Sequence, residues 1–136
     1  MPRVLVVDDE EQVRNMLRIM LVRAGHEVHV ASDAKTAIEI CAPPACFDVV
    51  ISDVVMPGID GHGLARQVAV RCPQSRVILM SAFDPGCDDC PFLDNCVRIS
   101  KPFALREVAE LVNDVLARPI RPRLGEGKCD MGEEAS

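Results

Sequence analysis

Three aspartates, a serine and a lysine could do chemistry together in this chain, because each stands where a short apolar run stops. Val4-Leu5-Val6-Val7 runs into Asp8-Asp9, and Asp48-Val49-Val50-Ile51-Ser52 runs into Asp53. Val77-Ile78-Leu79-Met80 runs into Ser81, and Val97-Arg98-Ile99-Ser100 runs into Lys101-Pro102. Carboxylates gathered at one place repel one another and resist ionising unless a cation sits among them. Three of them beside one hydroxyl and one ammonium make the donor set of a Mg²⁺ site with an oxyanion to be neutralised.

The elements that must bring these groups together follow from the same runs. Short apolar runs without breakers suit strands buried on both faces of a parallel sheet, and in such sheets the ligand crevice lies at the carboxyl ends of the strands. Val13, Met16, Leu17, Met20, Leu21 and Ala24 share one helical face, which Gly25 closes. A short strand is predicted from Glu27 to Ala31. Asp33 can cap a helix whose Ala34, Ala37, Ile38 and Cys41 share a face, and Pro43-Pro44 ends it. Gly61 to Arg71 reads as helix, and the last helix carries Val108, Leu111, Val112, Val115 and Leu116 on one stripe. Alternating strands and helices imply βαβ units with right-handed crossovers. The expected fold is α/β, a flavodoxin-like doubly wound parallel sheet of five strands in the order 2-1-3-4-5.

The spaced motifs resemble the receiver domain of two-component response regulators. They are Asp8-Asp9, then Asp53 with Met56-Pro57-Gly58-Ile59-Asp60-Gly61, then Ser81-Ala82, then Lys101-Pro102-Phe103. The resemblance implies a receiver domain over residues 1–118; residues 119–136, with two prolines, three glycines and no apolar period, read as a flexible tail. It implies that Asp53 accepts a phosphoryl group from a histidine kinase or phosphotransfer protein, with Ser81 and Lys101 facing the phosphoryl oxygens. A carboxylate nucleophile yields an acyl phosphate, and the transfer needs mainly positioning and charge neutralisation. By the same resemblance Asp8, Asp9, Asp53 and Val55 hold Mg²⁺, with Asp9 ligating directly, Asp8 through water and Val55 through its backbone carbonyl, and the Lys101-Pro102 bond is cis. Asp8-Asp9 can also cap the first helix, with Glu10-Glu11 favouring its positive end. The protein is then a switch rather than a turnover enzyme. Its output goes to a downstream effector protein, and a homodimer stays open.

Two stretches depart from the family. Three positions before Lys101, where the family usually has Tyr or Phe, stands Arg98, whose permanent charge makes burial costly without a partner. Residues 84–95 fall where the family has its fourth helix, yet carry Pro85, Gly86 and Pro91. That helix is expected to be shortened or replaced by a Cys-rich loop, in which Asp84, Asp88 or Asp89 could meet Arg98. Cys87, Cys90 and Cys96 form a C-x2-C-x5-C cluster. It reads either as a zinc or redox site, with Cys72 or an acid as a remote fourth ligand, or as small thiols in a turn-rich loop. Free thiols are the preferred reading; the other supports an alternative function, a metal- or redox-sensing adaptor. His26 and His62 are poor candidates for a phosphorelay, with His62 read as a surface helix position.

Composition narrows the classes. With 136 residues and 49% hydrophobic content the chain can form one domain with a full core. A net charge of -6 without a basic run argues against direct nucleic-acid binding. No apolar stretch approaches a membrane span and no signal-peptide pattern opens the chain, so a cytoplasmic location without membrane contact is expected. The seven cysteines should then stay mostly reduced, and their odd number argues against a full disulfide framework.

Overall fold

A computed structural model describes residues 2–55, 58–81 and 96–117 of the protein. Five strands and four helices are formed by these residues: β1 (Arg3–Val7), α1 (Glu11–Arg23), β2 (Glu27–Ala31), α2 (Ala34–Ile40), β3 (Val49–Asp53), α3 (Gly61–Arg71), β4 (Arg76–Ser81), β5 (Cys96–Ser100) and α4 (Leu105–Ala117). All strand pairs are parallel, in the order β2-β1-β3-β4-β5. This is the expected flavodoxin-like sheet. The expected loss of the helix between β4 and β5 concerns residues outside those described.

The pleat sorts each strand between two cores. Leu5, Val7, Val50, Val77 and Leu79 pack with Ala34, Ala37, Leu64 and Val68 of α2 and α3. Val4, Val6, Val49, Ile51, Ile78 and Met80 pack with Leu17 and Leu21 of α1 and Val108, Val112 and Val115 of α4. Both faces of β1 and β3 are therefore dry, which is why their sequences are apolar without alternation.

Helix boundaries have local causes. Gly25 follows α1 at φ 97°, a left-handed conformation that glycine adopts without a Cβ clash. Asp33 caps α2 by accepting from the Thr36 amide at 2.8 Å, and Asp60 caps α3 by accepting from the Gly63 amide at 2.9 Å. Two expectations need correction. Met16 shares the apolar stripe of α1 yet is 49% exposed, because α1 lies on the sheet through Leu17 and Leu21. His62, a surface position by its sequence, is 2% exposed, because the first turn of α3 packs directly against the end of β3.

The cysteines also differ from expectation. Cys46, in the loop before β3, is joined by a disulfide to Cys72, the residue after α3. Their Cα atoms are 5.8 Å apart. The pairing arises because both loops turn at the same edge of the sheet, and it removes Cys72 as a remote zinc ligand. Cys41 is a buried free thiol. Cys87 and Cys90 lie outside the described residues, and Cys96 is described only as the first residue of β5, so the suggested second site falls there too.

Candidate functional site

The strand ends carry the functional groups to one edge. Asp8 follows β1, Asp53 closes β3, Ser81 closes β4, and Lys101 follows β5. Carboxylate oxygens of Asp8, Asp9 and Asp53 lie within 4.8 Å of one another. The Lys101 ammonium stands 3.3 Å from Asp53 Oδ2 and 3.9 Å from Asp8 Oδ2. The Lys101-Pro102 peptide is cis, as the resemblance implied.

Backbone contacts fix these positions. The Asp8 amide donates to the Ala31 carbonyl at 3.2 Å, tying the end of β1 to β2. Arg14, one turn into α1, donates from Nη1 to the Asp8 carbonyl at 2.8 Å. Asp8 Oδ1 accepts from the Glu10 amide at 2.8 Å, so this carboxylate also helps start α1. The Ser52 hydroxyl donates to the Asp53 carbonyl at 2.9 Å, and the Val54 amide donates to Met80 at 3.0 Å. Gly61 completes the support: a Cβ there would lie 2.5 Å from the Asp53 carbonyl oxygen and 2.8 Å from Val54 Cα. Between β4 and β5 the Lys101 amide donates to the Ser81 carbonyl at 2.8 Å. Arg14 and Ser52 were missed in the sequence; nothing in their spacing marks them. Gly61 was visible only as loop punctuation.

The electrostatics single out Asp8. It is fully buried, and that burial pushes its carboxyl up to about 6, against the lowering effect of the Glu10 amide; the charges on Asp53 and Asp9 push the same way and Lys101 opposes them. Its Oδ2 is buried with no hydrogen-bond partner. A buried carboxylate oxygen without a hydrogen bond, 3.9 Å from the Lys101 ammonium and facing two more carboxylates, fits a hard divalent cation. Asp53 is 8% exposed and Asp9 is open to solvent, so the cluster has a dry side and a wet side. Val55, the expected carbonyl ligand, is described and 72% exposed, at the rim of the same edge. Ser81 is 6% exposed. Arg98 is exposed on β5, paired in register with Leu79, so no buried charge arises at the position where an aromatic was anticipated.

A model of the response regulator receiver domain family matches residues 4–113. The chain belongs to this family. The receiver is 34% identical over 119 residues to response regulator protein FleR of Pseudomonas aeruginosa, a match covering 81% of this chain and 24% of FleR. It is 31% identical over 118 residues to the alkaline phosphatase synthesis transcriptional regulatory protein PhoP of Bacillus subtilis, covering 85% of this chain and 49% of PhoP. The chain thus spans about a quarter to a half of these curated relatives. Among solved structures, TrrA of Thermotoga maritima in complex with Mg²⁺-BeF matches with a TM-score of 0.74 and 30% identity, over 85% of this chain and 99% of that one. Vibrio cholerae chemotaxis protein CheY4 matches with a TM-score of 0.72 and 27% identity, over 85% and 98%. Phosphoacceptance in two-component signalling is the function this receiver family carries, and these relatives lend no support to the alternative of a Cys-loop adaptor. Among the described residues no helix is long and apolar enough to cross a membrane.

Proposed function

We propose that Asp53 is the phosphoacceptor of this receiver and that Asp8, Asp9, Asp53 and the Val55 carbonyl hold the Mg²⁺ that the reaction requires. The observation that carries the reading is the meeting of three carboxylates within 4.8 Å beside one ammonium, at the carboxyl edge of a parallel sheet. The phosphoryl group passes from a phosphohistidine of a kinase or phosphotransfer protein to an Asp53 oxygen. The nitrogen–phosphorus bond breaks as the oxygen–phosphorus bond forms. Lys101 already lies 3.3 Å from Asp53 Oδ2 and is the cation nearest the developing negative charge. Ser81 supplies a hydroxyl donor from the neighbouring strand end. Mg²⁺, when bound, supplies the positive charge that lets three carboxylates and a phosphoryl group share the site.

Phosphorylation then alters the surface offered to an effector protein, which makes the molecule a switch that assists its own phosphorylation. It acts in the cytoplasm. The test is intact mass after incubation with Mg²⁺ and a small acyl phosphate. One added phosphoryl group on the wild type, lost with chelator and lost in Asp53→Asn, is expected. Equal labelling of Asp53→Asn would refute the assignment.

A further inference from the structure

We propose that Cys46 and Cys72 are a reversible redox pair, closed by exchange with a low-molecular-weight disulfide, whose bond fastens the far end of α3. The two residues sit in the loops that enter β3 and β4, at the sheet edge opposite Asp53. Their Cα separation of 5.8 Å is one a disulfide spans without moving the backbone. The bond joins positions 26 residues apart, so it ties two βαβ units rather than one local turn.

Three further features suit a pair that opens and closes. Access is asymmetric: Cys46 is half-buried and Cys72 is 2% exposed, so an incoming reagent meets the Cys46 sulfur first. The Cys46 loop is also held without the bond. Arg3 donates from Nη1 to the Cys46 carbonyl at 3.0 Å and stacks over Phe47 at 4.5 Å, while its Nε pairs with Glu27 at 3.2 Å. These contacts keep the Cys46 loop in place when the bond opens. The open form also has its polar contact ready. Cys72 Sγ lies 3.8 Å from the Cys41 carbonyl oxygen, and only a thiol, not a disulfide sulfur, can donate across that gap. Cys41 is a buried free thiol beside the pair, and burial pushes it up against the lowering effect of a backbone hydrogen bond with Phe47 and the charges of Arg71 and Arg3.

Closure proceeds in two exchanges. The Cys46 thiolate attacks one sulfur of the small disulfide and expels a thiolate, leaving a mixed disulfide. The Cys72 thiolate then attacks the Cys46 sulfur and expels the second. Two protein thiols are oxidised, one small disulfide is reduced to two thiols, and the protons of Cys46 and Cys72 end on the leaving groups. The helix so fastened matters because its other end touches the phosphoacceptor: the Gly61 amide donates to Val54 at 2.8 Å and its Cα packs on the Asp53 carbonyl.

The test equilibrates the full chain across ratios of glutathione disulfide to glutathione, traps thiols by alkylation and maps the peptides. A Cys46–Cys72 link that forms on oxidation and opens with dithiothreitol in the folded protein is expected. Reduction should lower Tm by roughly 10 °C in the wild type, with no such drop in Cys46→Ser, whose smaller polar side chain suits a half-buried position. Backbone hydrogen exchange should quicken at the end of α3, around Val68 to Arg71, while β1 stays protected. Two free thiols at the most oxidising ratio, a link to another cysteine, a bond that dithiothreitol cannot open, or unchanged exchange in α3 would each overturn the proposal. None of these readouts needs phosphorylation, so the outcome is independent of Asp53.

Discussion

Burying Asp8 with one carboxylate oxygen outside any hydrogen bond places a penalty on its ionised form in the metal-free protein. Asp8→Asn removes that charge and keeps an oxygen for the Glu10 amide, now 2.8 Å away. The variant should be more stable than the wild type by about 1–2 kcal/mol at neutral pH without metal. It should also lose most of its Mg²⁺ response. Urea unfolding checks this; destabilisation of the variant in chelator would contradict the account. At this scale the acids were legible because Asp8, Asp9 and Asp53 each interrupt an apolar run. Arg14 and Ser52 were not, because what they do is hold backbone carbonyls, and any polar residue reads the same until the chain is folded. His62 misled for the opposite reason: a polar type on a short helix gives no sign that its turn lies under β3.

At the scale of elements, α3 is set by contact rather than by helix propensity. In Gly61→Ala the added methyl would meet backbone on two sides, at 2.5 Å and 2.8 Å, so either α3 or the Asp53 strand end must shift. A loss of roughly 1–3 kcal/mol is expected, with slower phosphorylation because the acceptor itself moves. Denaturation and a labelling time course measure the two effects, and an unchanged labelling rate would show that the close approach does not hold Asp53. Asp33→Ala serves as the contrast. It removes the cap of a seven-residue helix that carries none of the three acids and should cost about 1 kcal/mol while leaving Mg²⁺ binding as it was. Calorimetry of unfolding and a Mg²⁺ titration separate these. The elements were legible in detail, from Glu27–Ala31 to Gly61–Arg71, because strand runs and caps are local signals. The inward face of α1 was less so, since Met16 satisfies the helical period and still misses the sheet. The Cys46–Cys72 bond could not be read at all, since it depends on two loops meeting across 26 residues.

For the whole molecule the buried acid makes stability depend on pH in a defined direction. The Asp8 carboxyl rises from its ordinary 3.8 to about 6, so the folded protein keeps a proton that the unfolded chain has already released. Stability without metal therefore falls as pH climbs through that window, by up to about 3 kcal/mol from this one group. Other carboxylates act in the opposite sense: hydrogen bonds from the Thr36 amide hold Asp33 low, and contacts with His29 and Arg3 hold Glu27 low. The clean observable is the difference between Asp8→Asn and wild type, which should shrink as pH drops below about 6 and vanish near the ordinary carboxylate range. Mg²⁺ should stabilise the wild type more at neutral pH than in acid, because it competes with that proton. Equal Mg²⁺ stabilisation at both would mean that Asp8 takes no part in holding the ion.

The hydrogen bond from the Lys101 amide to the Ser81 carbonyl extends the β4–β5 ladder one rung beyond the last paired residues, Ser81 and Ser100. Hydroxyl and ammonium are thus mounted on a common crossbar. A backbone movement that carries either strand end toward a phosphoryl group on Asp53 has two forms: either the crossbar tilts as a unit, or its rung breaks and the Lys101 amide opens to solvent. Those alternatives give different signals at a single proton. A nitrogen-resolved spectrum of the Lys101 amide, with and without beryllofluoride, should show a shifted but still slowly exchanging resonance if the two strand ends travel together.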